Sequence, residues 1–541
     1  LMYGSKSKPN IPLRRSVGKV AAFLLLLIVV FYALAACSSL ILPYIPLYGY
    51  MQLYSGTYRG PKVLPASVSE IEIEGLDRDS YSYLGMIDAG SSGCRAHVFR
   101  YGLLGSEGGP LYILPKHSSK KVKPGLSSFA MNPSDAGASL QGLIDFMKEE
   151  IPESEWANTP IWLKATAGLR MLNDNAQDAI LSSVREFLGN SNNSPFFFQP
   201  EFAQVIPGIE EGAFGWISVN YMKHVIGPFS DSKSAPTPER AYAVVEMGGA
   251  STQVTQIVSN VDDIPSTQKD FQYSFTIQGK RFQLYTHSYL GYGADQARAS
   301  LNTHLISSQE KAQRDSQSTE PATLADPCLN PGYFREVGKA SKDVYSGPVG
   351  KFHVVGGSDE KADKCHQAIE GLLFPLRNGE KSAHCVEDID TTSFNCIYQP
   401  SFVRHSKNVL VFENFFYAAS GLGTMPAGHD PVYSSTSPRI TSFPLTTSPK
   451  EFLDSAQEVC GMSWDNVASS LPRDSSPKEQ NSRWCFTSSY AYLFLTHGIG
   501  LEEDKVITVQ QSIDGSGIEW ALGAAYREAA ANLEKQYLRV A

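Results

Sequence analysis

Two stretches of this chain share one pattern, and that duplication constrains the fold more than any other feature. Met86-Ile87-Asp88-Ala89-Gly90-Ser91-Ser92-Gly93 is the first copy. Val245-Glu246-Met247-Gly248-Gly249-Ala250-Ser251-Thr252 is the second. Each runs from apolar residues through a carboxylate into a turn of small residues. A second apolar run follows each turn, Ala96 to Tyr101 and Val254 to Val258. A strand–turn–strand hairpin with small residues at its tip lets backbone N–H groups approach an anion closely. Either hairpin alone reads equally as an ordinary turn. Two copies point to related lobes gripping one polyphosphate from opposite sides.

The rest of the chain reads as mixed α/β. Tyr83 to Ile87, Pro160 to Ala165 and Ala241 to Val245 are apolar runs of strand length. Ala176 to Leu188 places Ala176, Ile180, Val184, Phe187 and Leu188 on one helical face. A further helix is expected over Arg527–Arg539. Ser307–Asp326, Asp430–Lys450 and Pro472–Ser482 read as polar surface loops. A length of 541 residues accommodates two core-bearing lobes. The cleft between them is the default site. A net charge of −9 excludes the broad basic footprint of a nucleic-acid binder.

Val20 to Leu42 is an uncharged apolar run of 23 residues, long enough to span a bilayer. Lys6, Lys8, Arg14, Arg15 and Lys19 precede it, and the next basic residue is Arg59. The charge asymmetry puts residues 1–19 in the cytosol, 20–42 in the membrane as a signal-anchor, and the rest on the far side. Two rivals stay open. Ala33-Leu34-Ala35 resembles a signal-peptide cleavage site, and Leu34-Ala35-Ala36-Cys37 a lipoprotein processing site. Residues 43–80 read as a stalk.

Of eight cysteines, Cys37 falls in the apolar run and Cys94 beside the first glycine turn. The other six lie in the second half of the chain and suit disulfides in an exported body. Sequence-adjacent pairing gives Cys328–Cys365, Cys385–Cys396 and Cys460–Cys485, with reduced core thiols as the alternative. Cys94 reads as a buried, inert thiol. Asn192-Asn193-Ser194 is a glycosylation acceptor at Asn192.

Five ordered blocks carry a specific likeness. They begin at Asp88 (Asp-Ala-Gly-Ser-Ser-Gly-Cys-Arg), Lys164 (Lys-Ala-Thr-Ala-Gly-Leu-Arg), Glu210 (Glu-Glu-Gly-Ala-Phe-Gly-Trp), Glu246 (Glu-Met-Gly-Gly-Ala-Ser-Thr-Gln) and Trp520 (Trp-Ala-Leu-Gly). Together they resemble the conserved regions of the apyrase or nucleoside triphosphate diphosphohydrolase family. That family includes ecto-apyrases and Golgi guanosine diphosphatases. The likeness covers roughly residues 80–530.

The resemblance implies two ribonuclease-H-like lobes of the actin/hexokinase superfold. Residues 81–207 plus 508–541 would form the first lobe and 208–507 the second. It implies nucleoside di- and triphosphates as substrates and Ca2+ or Mg2+ as cofactor. Ser91, Ser92 and Gly93 would hold one phosphate, and Gly249, Ala250 and Ser251 the next. Asp88, Thr166, Glu211, Glu246 and Trp520 would hold the cation, mostly through waters. Glu246 departs from the family's usual Asp, which puts its direct ligation in question.

Glu211 would be the general base, with Ser251 and Gln253 positioning the water. Without the family, an acid favouring the helix dipole explains Glu211 as well, and Glu210 suits that role better. Tyr417 is the candidate for stacking on a base, with core packing as its alternative. His287 to Gly293 would shape the cleft. Lys164 and Arg170 flank Thr166, with phosphate contact and a plain ion pair equally open.

One N-terminal anchor resembles the Golgi diphosphatases and implies a type II protein facing the secretory lumen. A cell-surface ecto-apyrase is the alternative. A sugar kinase of the same superfold and an actin-like binding module without turnover complete the set. Oligomeric state is not legible in the sequence.

Overall fold

The computed structural model describes residues 60–65, 69–230, 236–260, 262, 264, 266–316, 322–337, 352–357, 361–373, 406–421, 445–469 and 482–540. The apolar run 20–42 lies outside them. Among the described residues, no helix is long and apolar enough to cross a membrane.

The first sheet is built from β1 (Val63–Leu64), β2 (Ser82–Ala89), β3 (Cys94–Leu104), β4 (Leu111–Ile113), β5 (Ser118–Val122), β6 (Ile161–Ala165) and β7 (Ala203–Val205). β2 and β3 form the expected hairpin, with Asp88 opposite Arg95. β6 then pairs parallel to β2, and β7 parallel to β6. β6 is buried at every position, as parallel strands covered on both faces are. Its Lys164 is tolerated because Glu528 lies 2.7 Å from the ammonium.

The second sheet repeats this order. β8 (Ala243–Met247) and β9 (Ser251–Ile257) form the hairpin, extended by β10 (Gln272–Ile277) and β11 (Lys280–Leu290). A small separate sheet follows, made of β12 (Ala322–Asp326), β13 (Phe334–Val337) and β14 (Phe352–Gly356). β15 (Val409–Glu413) then returns parallel to β8. β16 (Leu445–Thr447) is antiparallel to β17 (Ile507–Val509), which pairs parallel to β15. The sequence β3-β2-β6-β7 is thus reproduced as β9-β8-β15-β17: an antiparallel hairpin, then two parallel strands. This is the paired ribonuclease-H-like α/β architecture expected above.

Two helices join the halves. Gly208–Met222 is buried on all sides from Glu211 onward, which its all-round apolar composition permits. Gly212 lets it sit on the second sheet, because a Cβ there would lie 2.5 Å from Thr286 Oγ1 and 2.6 Å from Thr255 Oγ1. Trp520–Val540 crosses it at Gly523, where a Cβ would overlap the Phe214 carbonyl. The expected helix at Ala176–Leu188 spans Asp174–Gly189, capped by the Asn173 side chain.

Three sequence expectations are corrected. The 43–80 stalk ends early: Val63–Leu64 pairs with β3, and Leu64 and Ile73 are buried. Glu70–Glu74 is helical behind a Ser69–Glu72 capping box. The 307–326 loop is a helix through Ser316 followed by β12, which pairs with β14 and buries Leu324. The 430–450 segment contains β16 and the start of the Pro449–Gly461 helix, while 472–482 lies almost wholly outside the described residues.

Cys328 bonds Cys365, and Cys460 bonds Cys485. Cys385 and Cys396 lie outside the described residues. Asn192 is exposed.

Candidate functional site

The two hairpin tips face each other. A Cβ on Gly249 would lie 3.4 Å from Ser91 Oγ, so the loops meet across a narrow gap. Gly168 packs under the first loop, since a Cβ there would lie 2.7 Å from Ser91 Cα. Gly293 supports the second loop in the same way, against Gly249 and Ala250. Between the tips opens a cavity lined by Ser91, Ser92 and Gly93 on one side and Gly249, Ala250 and Ser251 on the other. Lys121 Nζ reaches Ser92 Oγ at 3.1 Å and brings a cation to the first loop.

The cavity floor is acidic. Asp88, Glu211, Glu246, Glu413 and Glu519 all line it, with Thr166 and Trp520. Burial first, then the charges of Glu211 and Glu519, push the Asp88 carboxyl up to about 8. Burial and then Glu211 raise Glu246 well above the usual carboxylate range. Glu413 is raised by burial too. Asp88 Oδ1 and Glu246 Oε2 are buried oxygens with no hydrogen-bond partner. Buried acceptors are rarely left so. Converging carboxylates whose acidity is suppressed by one another are the environment a hard divalent cation relieves.

Glu211 sits in the first turn of the Gly208–Met222 helix. Its Oε2 accepts from Arg170 Nη2 at 2.6 Å. The same nitrogen lies 3.3 Å from Ser251 Oγ, and Arg170 Nη1 donates to the Ile206 carbonyl at 3.0 Å. Burial raises the Glu211 carboxyl and Arg170 opposes the rise. Gln253 Nε2 donates to Ser251 Oγ at 2.6 Å and to Ser288 Oγ at 3.0 Å. Gln253 is not among the cavity-lining residues, so it reaches the cavity only through Ser251. Ser288, in the His287–Gly293 stretch, braces that contact.

The remaining candidates stand apart. Tyr417 is 49% exposed, so it is not core, and it does not line the cavity. Phe415 beside it is fully buried core. Cys94 is buried, and burial pushes its thiol up to about 12, which makes it inert.

Arg95, Lys121, Glu413 and Glu519 also line the cavity, and Arg170 borders it through Glu211 and Ser251. Arg170 lay in a block already singled out. Glu519 adjoins Trp520. Glu413 carries no local signal; its left-handed backbone, φ 60°, turns the chain at the end of β15.

Two sheets of one topology, opened at the carboxylate ends of their first strands, define a phosphate-handling enzyme of the actin-like superfold. Its particular family is plain. The chain belongs to the GDA1/CD39 (nucleoside phosphatase) family, whose model matches residues 75–541. A guanosine-diphosphatase of Schizosaccharomyces pombe is 28% identical over 86% of this chain and 79% of its own. A probable apyrase 3 of Arabidopsis thaliana is 31% identical over 82% of this chain and 81% of its own. The solved nucleoside triphosphate hydrolase of Neospora caninum shares the fold, with a TM-score of 0.57 at 17% identity over 86% of this chain and 96% of that one.

Proposed function

We propose that this chain hydrolyses the terminal phosphate of nucleoside di- or triphosphates by a cation-dependent, Glu211-assisted attack of water. The observation that carries the reading is the pairing of Glu211 with Arg170 beside Ser251, at the mouth of two opposed phosphate loops. Phosphoryl transfer needs positioning and charge neutralisation more than covalent chemistry.

The residues divide the work. Ser91, Ser92 and Gly93 hold one phosphate, with Lys121 adding charge behind Ser92. Gly249, Ala250 and Ser251 hold its neighbour. Asp88 and Glu246 are the carboxylates that would hold Ca2+ or Mg2+, with Thr166, Glu211 and Trp520 within reach of its waters. Such an ion supplies charge neutralisation to the phosphate oxygens when bound. Glu211 accepts the proton of the attacking water as its oxygen approaches phosphorus. Arg170 opposes the rise that burial imposes on Glu211 and so favours its ionised form. Ser251, fixed by Gln253 and Ser288, orients the water. Tyr417 offers a half-exposed ring for a base.

Location follows the same reading. An anchor at 20–42 would put the body in the secretory lumen, where a diphosphatase removes the nucleoside diphosphate released by glycosyl transfer.

The test is phosphate release from nucleoside mono-, di- and triphosphates with calcium, magnesium or chelator. A Glu211→Gln protein is expected to lose activity by at least two orders of magnitude. Parent-level turnover by that variant overturns the base assignment. Activity that survives chelation overturns the cation.

A further inference from the structure

On the other side of Glu519 from the cleft lies a group of side chains that the phosphatase reading does not use. His97 is in β3 and 1% exposed. His117 precedes β5 and packs its ring 4.4 Å from that of Phe99. His117 Nδ1 lies 2.7 Å from the Pro115 carbonyl. A carbonyl only accepts, so Nδ1 carries the proton and Nε2 presents a lone pair. That lone pair points at His97 Nδ1, 3.0 Å away. Glu519 Oε2 lies 2.9 Å from His97 Nδ1 and 3.8 Å from His117 Nε2. The His97 contact is short but off the hydrogen-bond direction, and Oε2 is a buried acceptor with no donor. Arg95 takes the other carboxylate oxygen.

We propose that His97 Nδ1, His117 Nε2 and Glu519 Oε2 form a second metal centre, for a nitrogen-preferring divalent ion of the zinc class. Two imidazoles and one carboxylate are a borderline-soft donor set, unlike the all-oxygen floor of the cleft. The three atoms form a triangle of sides 2.9, 3.0 and 3.8 Å. Tetrahedral ligands at a zinc distance of about 2.0–2.1 Å stand about 3.3 Å apart, so the triangle is already close to that face. An ion at that distance from all three sits within about 1 Å of their plane, with its remaining position open.

Hydrogen bonding alone leaves the cluster unsatisfied. A single proton between the two ring nitrogens serves neither carboxylate lone pair on Oε2. A metal takes one lone pair from each residue. The supporting contacts are also in place: the Pro115 carbonyl fixes the His117 tautomer, and Arg95 holds the Glu519 carboxylate. Glu519 immediately precedes Trp520, so the ion would tie β3 to the start of the Trp520–Val540 helix.

The test uses the full chain, stripped with a strong chelator. It is then equilibrated with micromolar zinc in excess calcium, which occupies any oxygen site, and desalted for metal analysis. The expected result is about one zinc per chain in the parent and in Asp88→Asn, and none in His117→Gln. Zinc absent from the parent, retained by His117→Gln, or lost from Asp88→Asn overturns the proposal. Cobalt substitution of the parent needs no variant. Intense visible absorption of a four- or five-coordinate ion supports the site, and the weak spectrum of octahedral cobalt overturns it.

Discussion

Arg170 Nη2 stands 2.6 Å from Glu211 Oε2 and 3.3 Å from Ser251 Oγ. One guanidinium thus links the end of the Ala167–Arg170 turn, in the first half, to the proposed base and to the Gly248–Ser251 loop. Arg170 thereby couples the two halves of the repeat at the Glu211 carboxylate.

That link has a kinetic consequence. Burial raises the Glu211 carboxyl, and Arg170 is what lowers it. Replacing Arg170 with Met removes the opposing effect, so the carboxyl rises further and the base is protonated over more of the neutral range. The acid limb of kcat against pH is expected to move to higher pH, with a fall of roughly a hundredfold at neutrality. Arg170→Lys, which keeps charge but not the fork, is expected to recover only part. An acid limb that does not move in Arg170→Met means that Glu211 is not the titrating group.

The site was legible where its residues are consecutive. Asp88 to Gly93 and Glu246 to Ser251 announce themselves because a strand, a turn and a strand are local structure. The partners that set the electrostatics are not local. Arg95 meets Glu519 from the far end of the chain, and Glu528 neutralises Lys164 the same way. No spacing rule connects such pairs. The stalk was misread for a related reason: composition around residue 63 says nothing of an edge position beside β3, and pairing decides whether two residues become strand. Tyr417 shows the opposite case, where exposure and not sequence distinguishes it from Phe415.

Gly168→Ala separates intrinsic preference from packing. Alanine is favoured over glycine inside a helix by about 1 kcal/mol. Here the new Cβ would lie 2.7 Å from Ser91 Cα, and backbone cannot step aside as a side chain end can. The Gly90–Gly93 loop must shift. We expect KM for nucleotide to rise at least tenfold while the Gly249 side is unaffected, read from steady-state kinetics alongside an unchanged far-ultraviolet dichroism spectrum. An unaltered KM would show that loop position does not set substrate binding.

The two disulfides among the described residues have sequence separations of 37 and 25. Loops of that size are worth about 3.5–4 kcal/mol each in the chain-entropy account. Cys328→Ser with Cys365→Ser, and separately Cys460→Ser with Cys485→Ser, are each expected to lower the denaturant midpoint by a corresponding amount. Neither pair lines the cavity, so kcat below the new midpoint is expected to stay within twofold of the parent. Loss of turnover without loss of stability contradicts that separation.

The acidic floor makes stability depend on pH in an unusual direction. Asp88 titrates near the usual 3.8 when unfolded and is raised to about 8 when folded, and Glu246 is raised with it. The folded state therefore binds more protons than the unfolded one between roughly pH 4 and pH 8, and stability falls as pH rises through that window. Glu519 is shifted the other way: burial raises it, but His97, His117 and Arg95 outweigh burial and hold it well below the usual 4.5, so its contribution to stability is lost only as pH falls below about 4.5. Burial lowers His97, His287 and His366, which oppose the fall in stability below their usual 6.5, so in chelator the melting temperature is expected to drop mainly between about pH 6.5 and pH 8. Calcium or magnesium, held as proposed at Asp88 and Glu246, would favour the ionised carboxylates, so either ion should flatten the slope and release protons on binding, with affinity rising toward pH 8. Asp88→Asn removes one of the two titrating groups and is expected to reduce the metal-free slope while weakening the cation effect. A chelator-treated parent whose melting temperature instead rises between about pH 6.5 and pH 8 would mean that these carboxylates are ionised without a metal, and that the cleft neutralises them by some other contact.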